Sequence, residues 1–249
     1  MTKAIVISSG HGQYVRGAGR FIDEVDEARR VVDSVAKYLR ERGATVYVYH
    51  DDTSRTQRDN LNAIVAYHNS KQRTLDVSVH FNAAGTTDAP RGCEVLYYDA
   101  KQSAANVSKA IAVAGCFKDR GPKERRDLAF TSRTNMPALL LEVCFVDSKA
   151  DVELYQRNFD AICVAIAVSL AKEAGIVLNV PNPPSPPQKE ETNVMPQLLN
   201  ATGREEAKEL IKKAVACGVF QQSHLAKLDT YDDVQLISYS IAYVNRTTK

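Results

Sequence analysis

Four residues stand where chemistry is affordable to a folded chain: His11, Glu24, His80 and Glu142. His11 follows the β-branched run Ala4-Ile5-Val6-Ile7-Ser8-Ser9 and sits between Gly10 and Gly12. A short apolar run that stops at glycine reads as a buried strand, and glycines let the backbone turn sharply at its end. His80 closes a second such run, Asp76-Val77-Ser78-Val79-His80-Phe81, before the small-residue stretch Asn82-Ala83-Ala84-Gly85. Two strands of a parallel sheet that each end in histidine bring both imidazoles to one carboxyl edge, where open α/β sheets bind ligands. Taken alone, Gly-His-Gly is equally a tight turn.

The third ligand follows from helix geometry. Residues 24–42 place Ala28, Val31, Val32, Val35, Ala36 and Leu39 at the spacing of one apolar stripe, and Gly43 ends the helix. Of the acids at its start, Asp23, Glu24, Asp26 and Glu27, only Glu24 projects near the middle of that stripe. Glu27 lies at its edge, and Asp23 and Asp26 point to water. Favourable interaction with the helix dipole accounts for all four acids alike but not for the direction of Glu24. A core-facing acid needs compensation, and a metal ion is one form of it. His, Glu and His with a fourth position open describe a catalytic zinc, since structural zinc sites use four protein ligands.

Glu142 interrupts the most apolar stretch of the chain, residues 136–147. A buried glutamate either pairs with a charge or has its pKa raised, and a raised pKa suits a general acid/base beside a metal. The pairing alternative is an arginine from the charge-rich run 120–128, read as a loop. His50, in His-Asp-Asp-Thr-Ser, is expected at the surface or the substrate rim, and His68, on a polar helix over 56–70, is expected in solvent.

The elements that position these groups are strands at the start of the chain, 45–49, 76–81, 94–98 and 136–147, separated by helices at 24–42, 56–70, about 103–117 and about 150–174. This alternation predicts an α/β fold: a twisted, mostly parallel sheet with helices on both faces. After it comes Val-Pro-Asn-Pro-Pro-Ser-Pro-Pro, with five prolines within 181–187, a semi-rigid spacer. Domains are therefore expected at 1–178 and 197–249, with a linker over 179–196. The second is a small all-α module: 205–217 carries Ala207, Leu210, Ile211, Ala214 and Val215 on one face up to Gly218, and Thr230-x-x-Asp233 reads as a helix start before Val234, Ile237, Ile241 and Val244. Its small core leaves room for self-association. Tyr231, Tyr239 and Tyr243 are candidates for stacking on sugars, though tyrosines at this spacing more often form a core.

A net charge of +2 from 32 basic and 30 acidic residues argues against a nucleic-acid partner. No apolar run approaches the roughly 20 residues a membrane span needs, and Met1-Thr2-Lys3 leads into a strand rather than into a signal-peptide core. Cysteines 93, 116, 144, 163 and 217 lack any Cys-x-x-Cys spacing and read as reduced core thiols, consistent with synthesis in a cytoplasm.

Over residues 1–176 the motifs Gly-His11-Gly, Glu24 leading a helix that stops at Gly43, Ser-Val-His80-Phe-Asn-Ala, Gly92-Cys-Glu-Val-Leu-Tyr-Tyr98 and Ala-Leu-Leu-Leu-Glu142 occur in order. In this the chain resembles zinc-dependent N-acetylmuramoyl-L-alanine amidases of the type-3 amidase family, particularly catalytic domains of phage endolysins. The resemblance implies Zn2+ held by His11, Glu24 and His80, with Glu142 catalytic. It also implies cleavage of the bond between the lactyl group of N-acetylmuramic acid and L-alanine in peptidoglycan. Where many members have Asp-Pro-Gly-His-Gly-Gly, this chain has Ser8-Ser9-Gly10-His11-Gly12-Gln13. Residues beyond 203 resemble the C-terminal domains of Bacillus-type phage amidases, which implies a cell-wall polymer as their partner. A phage lysin made in the host cytoplasm and acting on the wall after release fits these features. A zinc peptidase cutting within the stem peptide and a non-catalytic wall-binding protein are the alternatives.

Overall fold

Buried β-branched strands alternate with amphipathic helices through the first of two compact units, Met1–Asn182 and Pro183–Lys249. The computed structural model describes residues 3–179, 201–216, 219–233 and 235–240. In the first unit β1 (Ala4–Ser9), β2 (Thr45–Tyr49), β3 (Leu75–Asn82), β4 (Cys93–Tyr97), β5 (Asp119–Glu124) and β6 (Ala138–Phe145) form one sheet in the order β2-β1-β3-β6-β4-β5. β2, β1, β3 and β6 run parallel, and β4 lies antiparallel to β6 with β5 parallel to β4. Central β1 is buried throughout, as its unbroken apolar run requires.

α1 (Glu24–Glu41), α3 (Lys101–Gly115) and α5 (Lys149–Glu173) cover one face. The stripe Ala28, Val31, Val32, Val35 and Leu39 packs there with Ile5 and Ile7 of β1 and Ile162, Ile166 and Leu170 of α5. Each valine, leucine or isoleucine among them contributes about 1.5–3 kcal/mol on burial, so this face is the main anchor of α1. Asp23 caps α1, accepting from the N–H groups of Val25 and Asp26 at 2.9 and 3.2 Å. Gly43, at φ +83°, takes the left-handed turn that follows. On the opposite face α2 (Gln57–Asn69) and α4 (Ala129–Arg133) cover a smaller cluster of Ile64, Leu96, Phe130, Ala138 and Leu140.

Two expectations for the first unit are corrected by its structure. Residues 119–124 form strand β5 rather than a loop. It is a mostly exposed edge strand, so its polar composition carries no core-facing alternation. His68 is fully buried, not solvated: Nδ1 bonds Asp76 at 2.8 Å and Nε2 bonds the Ser8 hydroxyl at 3.0 Å. Arg73 donates to both oxygens of Asp76, at 2.8 and 2.7 Å, which completes a buried polar network beneath α2. Of the cysteines, 93, 144 and 163 are buried free thiols and Cys116 is exposed.

The described part of the second unit is helical: α6 (Ala201–Ala216), α7 (Ser223–Lys227), a 3-10 turn Leu228–Thr230 and helical residues 233 and 235–240. Ala207, Ile211, Leu228, Tyr231 and Leu236 form its core, with Phe220 and Tyr239 packed against it. The last helix starts at Asp232 rather than at Thr230, because Asp232 and Gln235 cap each other reciprocally, backbone to side chain, at 3.0 and 2.8 Å. The proline-rich segment 180–200, Cys217, Gly218, Val234, Ile241, Tyr243 and Val244 lie outside the described residues.

Candidate active site

His11 is delivered by the loop after β1, and two glycines make room for the cluster it joins. Gly10 donates its N–H to Val79 at 2.9 Å, and any Cβ there would run into the His80 ring. A Cβ on Gly17 would meet the Glu24 carboxylate and the His11 ring. The loop is tied down by the Gln13 N–H, which donates to the Asp51 carbonyl at 2.8 Å. Ser9, one of the residues that depart from the common motif, bonds His50 Nδ1 through its hydroxyl at 3.0 Å, and His50 Nε2 reaches Asp33 at 3.2 Å. His50 thus braces the strand end from the α1 side instead of lying free at the rim.

The four acids at the start of α1 separate as their directions demand. Glu24 is 3% exposed. Its Oε2 accepts the Ala18 N–H at 2.6 Å and its Oε1 accepts the Phe81 N–H at 3.2 Å. Oε1 also lies 3.0 Å from His80 Nδ1 and 3.4 Å from His11 Nε2. Glu27 instead accepts from the Tyr155 hydroxyl at 2.7 Å and from Arg30 at 2.6 Å. Arg16 binds both Asp23 and Asp26, at 2.5 and 2.6 Å. Burial pushes the Glu24 carboxyl up, but its bond to His80 and the charges of both histidines more than offset this, and it lies below its ordinary range. His11 is lowered, chiefly by burial and then by His80. For His80 the effect of burial is outweighed by Glu24 and Glu142, and its pKa is raised.

One ligand atom from each of His11, Glu24 and His80 lies within 4.8 Å of the others, close enough for the three to share a single metal ion. Two imidazole nitrogens and a carboxylate oxygen fit zinc, and three protein donors leave a position for substrate or water. A cavity of about 400 Å³ opens beside them, lined by His11 and His80.

Glu142 lines the same cavity. Register places His80, Glu142 and Glu94 side by side across β3, β6 and β4, on one face of the sheet. Glu142 Oε2 is buried without a hydrogen-bond partner among the described residues. Burial pushes its carboxyl up to about 7; His80 opposes this, and Glu24 and Glu94 add to it. The pairing alternative for Glu142 does not form: Arg120 donates to Glu94 at 2.7 Å, and Arg125 pairs with Asp127 at 2.8 Å. Asn82 also donates to Glu94, at 2.9 Å. Sequence reasoning passed over Glu94, although a lone glutamate in the apolar strand Cys93–Tyr97 carries the same signal that singled out Glu142.

Comparison with known proteins places these residues in context. A family model described as N-acetylmuramoyl-L-alanine amidase matches residues 5–172. An uncharacterized 38.4 kDa protein of Clostridium perfringens is 32% identical over 174 residues, covering 68% of this chain and 51% of that protein. The endolysin of Bacillus phage SPP1 is 28% identical over 200 residues, covering 72% of this chain and 68% of the endolysin. The chain thus spans about half the length of the first of these relatives. Among solved structures, the catalytic domain of an endolysin targeting Clostridia difficile superposes with a TM-score of 0.62 at 23% identity, covering 68% of this chain and 97% of that domain.

Proposed function

The chain belongs to the N-acetylmuramoyl-L-alanine amidase family, and from that premise we propose that it hydrolyses the amide between N-acetylmuramic acid and L-alanine of peptidoglycan with zinc held by His11, Glu24 and His80. The observation that carries this reading is the buried, unpartnered Glu142 carboxylate beside that three-residue cluster at one cavity.

Zinc held by His11, Glu24 and His80 would supply Lewis-acid polarisation of the scissile carbonyl and activation of water at neutral pH. The remaining steps belong to the chain itself. Glu142 takes a proton from the attacking water at its free oxygen as the C–O bond forms, and returns it to the departing L-alanine nitrogen as the C–N bond then breaks. Its raised pKa suits both transfers near neutrality. Glu94, fixed by Arg120 and Asn82, flanks Glu142 on the sheet. The Ile64, Leu140 and Phe130 side chains give the cavity an apolar wall that limits water on one side. The peptide amide N–H groups of Ala18 and Phe81 hold Glu24 in one orientation.

The fuller reading is a phage or prophage endolysin acting on a Gram-positive, Bacillus-type wall, with the helical second unit binding a wall polymer. Its support is the SPP1 endolysin relative and the separate small core of that unit. Turbidity loss of Gram-positive walls, with and without a chelator and followed by mass spectrometry of the fragments, tests it. New muramic-acid lactyl carboxyls and L-alanine amino termini are expected, and the chelator should abolish both. Fragments with the muramoyl amide intact would identify a stem-peptide peptidase, and binding without soluble fragments a non-catalytic wall protein.

A further inference from the structure

Apart from the two histidines, Arg125 is the only side chain among the described residues lining the active cavity that carries positive charge. It is built in rather than loosely placed. The Arg125 backbone N–H donates to the Tyr97 carbonyl at 2.8 Å, and the Thr131 hydroxyl donates to the Arg125 carbonyl at 3.3 Å. Asp127 accepts from Nε and Nη2, both at 2.8 Å, which fixes the plane of the guanidinium. The Nη1 edge is left without a protein partner among the described residues. Arg125 is half-exposed and makes no ion pair with Glu142 or Glu94, although its charge is felt at Glu142. The other two arginines of this run are already committed, Arg120 to Glu94 and Arg126 to Glu124. A guanidinium with one edge anchored and the other free matches the planar fork of a second carboxylate.

The substrate offers such a group. In N-acetylmuramoyl-L-alanyl-γ-D-glutamyl peptides the chain continues through the glutamate side chain, so its α-carboxylate is free one residue beyond the scissile bond. Successive Cα atoms are about 3.8 Å apart, which keeps that carboxylate within the compass of the cavity when the amide lies at the His11, Glu24 and His80 cluster. We infer that Arg125 is a specificity residue that binds the free α-carboxylate of the second stem-peptide residue, and that the enzyme therefore prefers glutamate-type over glutamine-type (carboxamide) stems. The inference rests on the amidase reading above.

Two soluble muramoyl tripeptides that differ only in this carboxylate or carboxamide test it, with the full chain, zinc supplied, and release of the L-alanine amino group as the readout. The parent chain should favour the carboxylate by about tenfold in kcat/KM, carried mostly by KM; that corresponds to about 1.4 kcal/mol, the scale of one charge-assisted bond. Arg125→Gln should bring the ratio close to one. Arg125→Lys, which keeps the charge but not the fork, should fall between and so separates lost recognition from a folding defect. Equal ratios in the parent chain and Arg125→Gln would overturn the assignment. Failure of the amidase reading looks different: the parent chain would then cut neither tripeptide at its muramoyl amide.

Discussion

Glu24 and Glu27 stand one helical turn apart, yet their surroundings give them opposite expected roles. Glu24 faces two imidazoles, whereas Glu27 serves the Tyr155 hydroxyl of α5. Glu24→Gln should therefore abolish stoichiometric zinc binding, read by metal analysis after dialysis, with little change in helicity. Glu27→Ala should keep the metal but leave the buried Tyr155 hydroxyl without its acceptor, at a cost of about 1–3 kcal/mol in denaturant unfolding. The reverse pattern would move the ligand to Glu27. Glu142→Gln separates chemistry from binding in the same way: the metal should stay while wall hydrolysis drops by about 10²–10⁴. His11→Ala or His80→Ala should lose both.

At the level of elements, close approach makes specific demands. Gly10→Ala and Gly17→Ala place a methyl group where the His80 ring and the Glu24 carboxylate stand. Each should cut zinc affinity while the melting transition of the sheet survives, because neither glycine belongs to the apolar cluster between α1 and β1. The α2 face predicts a pH effect. His68 is surrounded by Ser8 of β1, Asp76 of β3, Arg73 and the Phe130 ring of α4. Burial, with Arg73 acting in the same direction, lowers its pKa below 6.5 against the opposing pull of Asp76. The unfolded chain then binds a proton that the folded chain does not, so this contribution is complete above about pH 6.5 and is lost as pH falls through the folded value. Melting curves of the zinc-loaded protein between pH 7.5 and 5 should decline more steeply for the parent chain than for His68→Gln; equal slopes would remove His68 from the account.

These elements also show what the sequence could disclose. β1, β6 and α1 were legible because burial on both faces, or along one stripe, writes an unmistakable apolar period. That period directed Glu24 inward and marked Glu142 as anomalous. β5 was missed because an edge strand with glycine and proline, exposed on both sides, has no period to read. The burial of His68 was hidden for another reason: its partners Ser8 and Asp76 come from two other strands, and a Tyr-His-Asn-Ser stretch looks solvated until they arrive. The reversed direction of β4 and β5 likewise depends on long-range pairing rather than on local pattern.

At the scale of the whole molecule, the chain is two cores joined by a segment rich in proline. The first unit contains every residue of the proposed metal cluster, its bracing histidine His50 and its own apolar core. The second has a core of a few helices built around Ile211, Tyr231 and Leu236. Tyr231 and Tyr239 are packed into or against that core, which makes them poor candidates for sugar stacking. No helix of the described residues is long and apolar enough to cross a membrane, and recognition of a wall polymer is what is proposed for the second unit. If the second unit supplies that recognition, residues 1–182 alone should fold, bind zinc and cleave a soluble muramoyl peptide with the kcat/KM of the full chain, while sedimenting far less with intact walls. The complementary fragment, residues 183–249, should sediment with walls and release nothing. Equal wall affinity of the first unit and the full chain would place wall recognition in the catalytic cavity itself, and the second unit would then need another role.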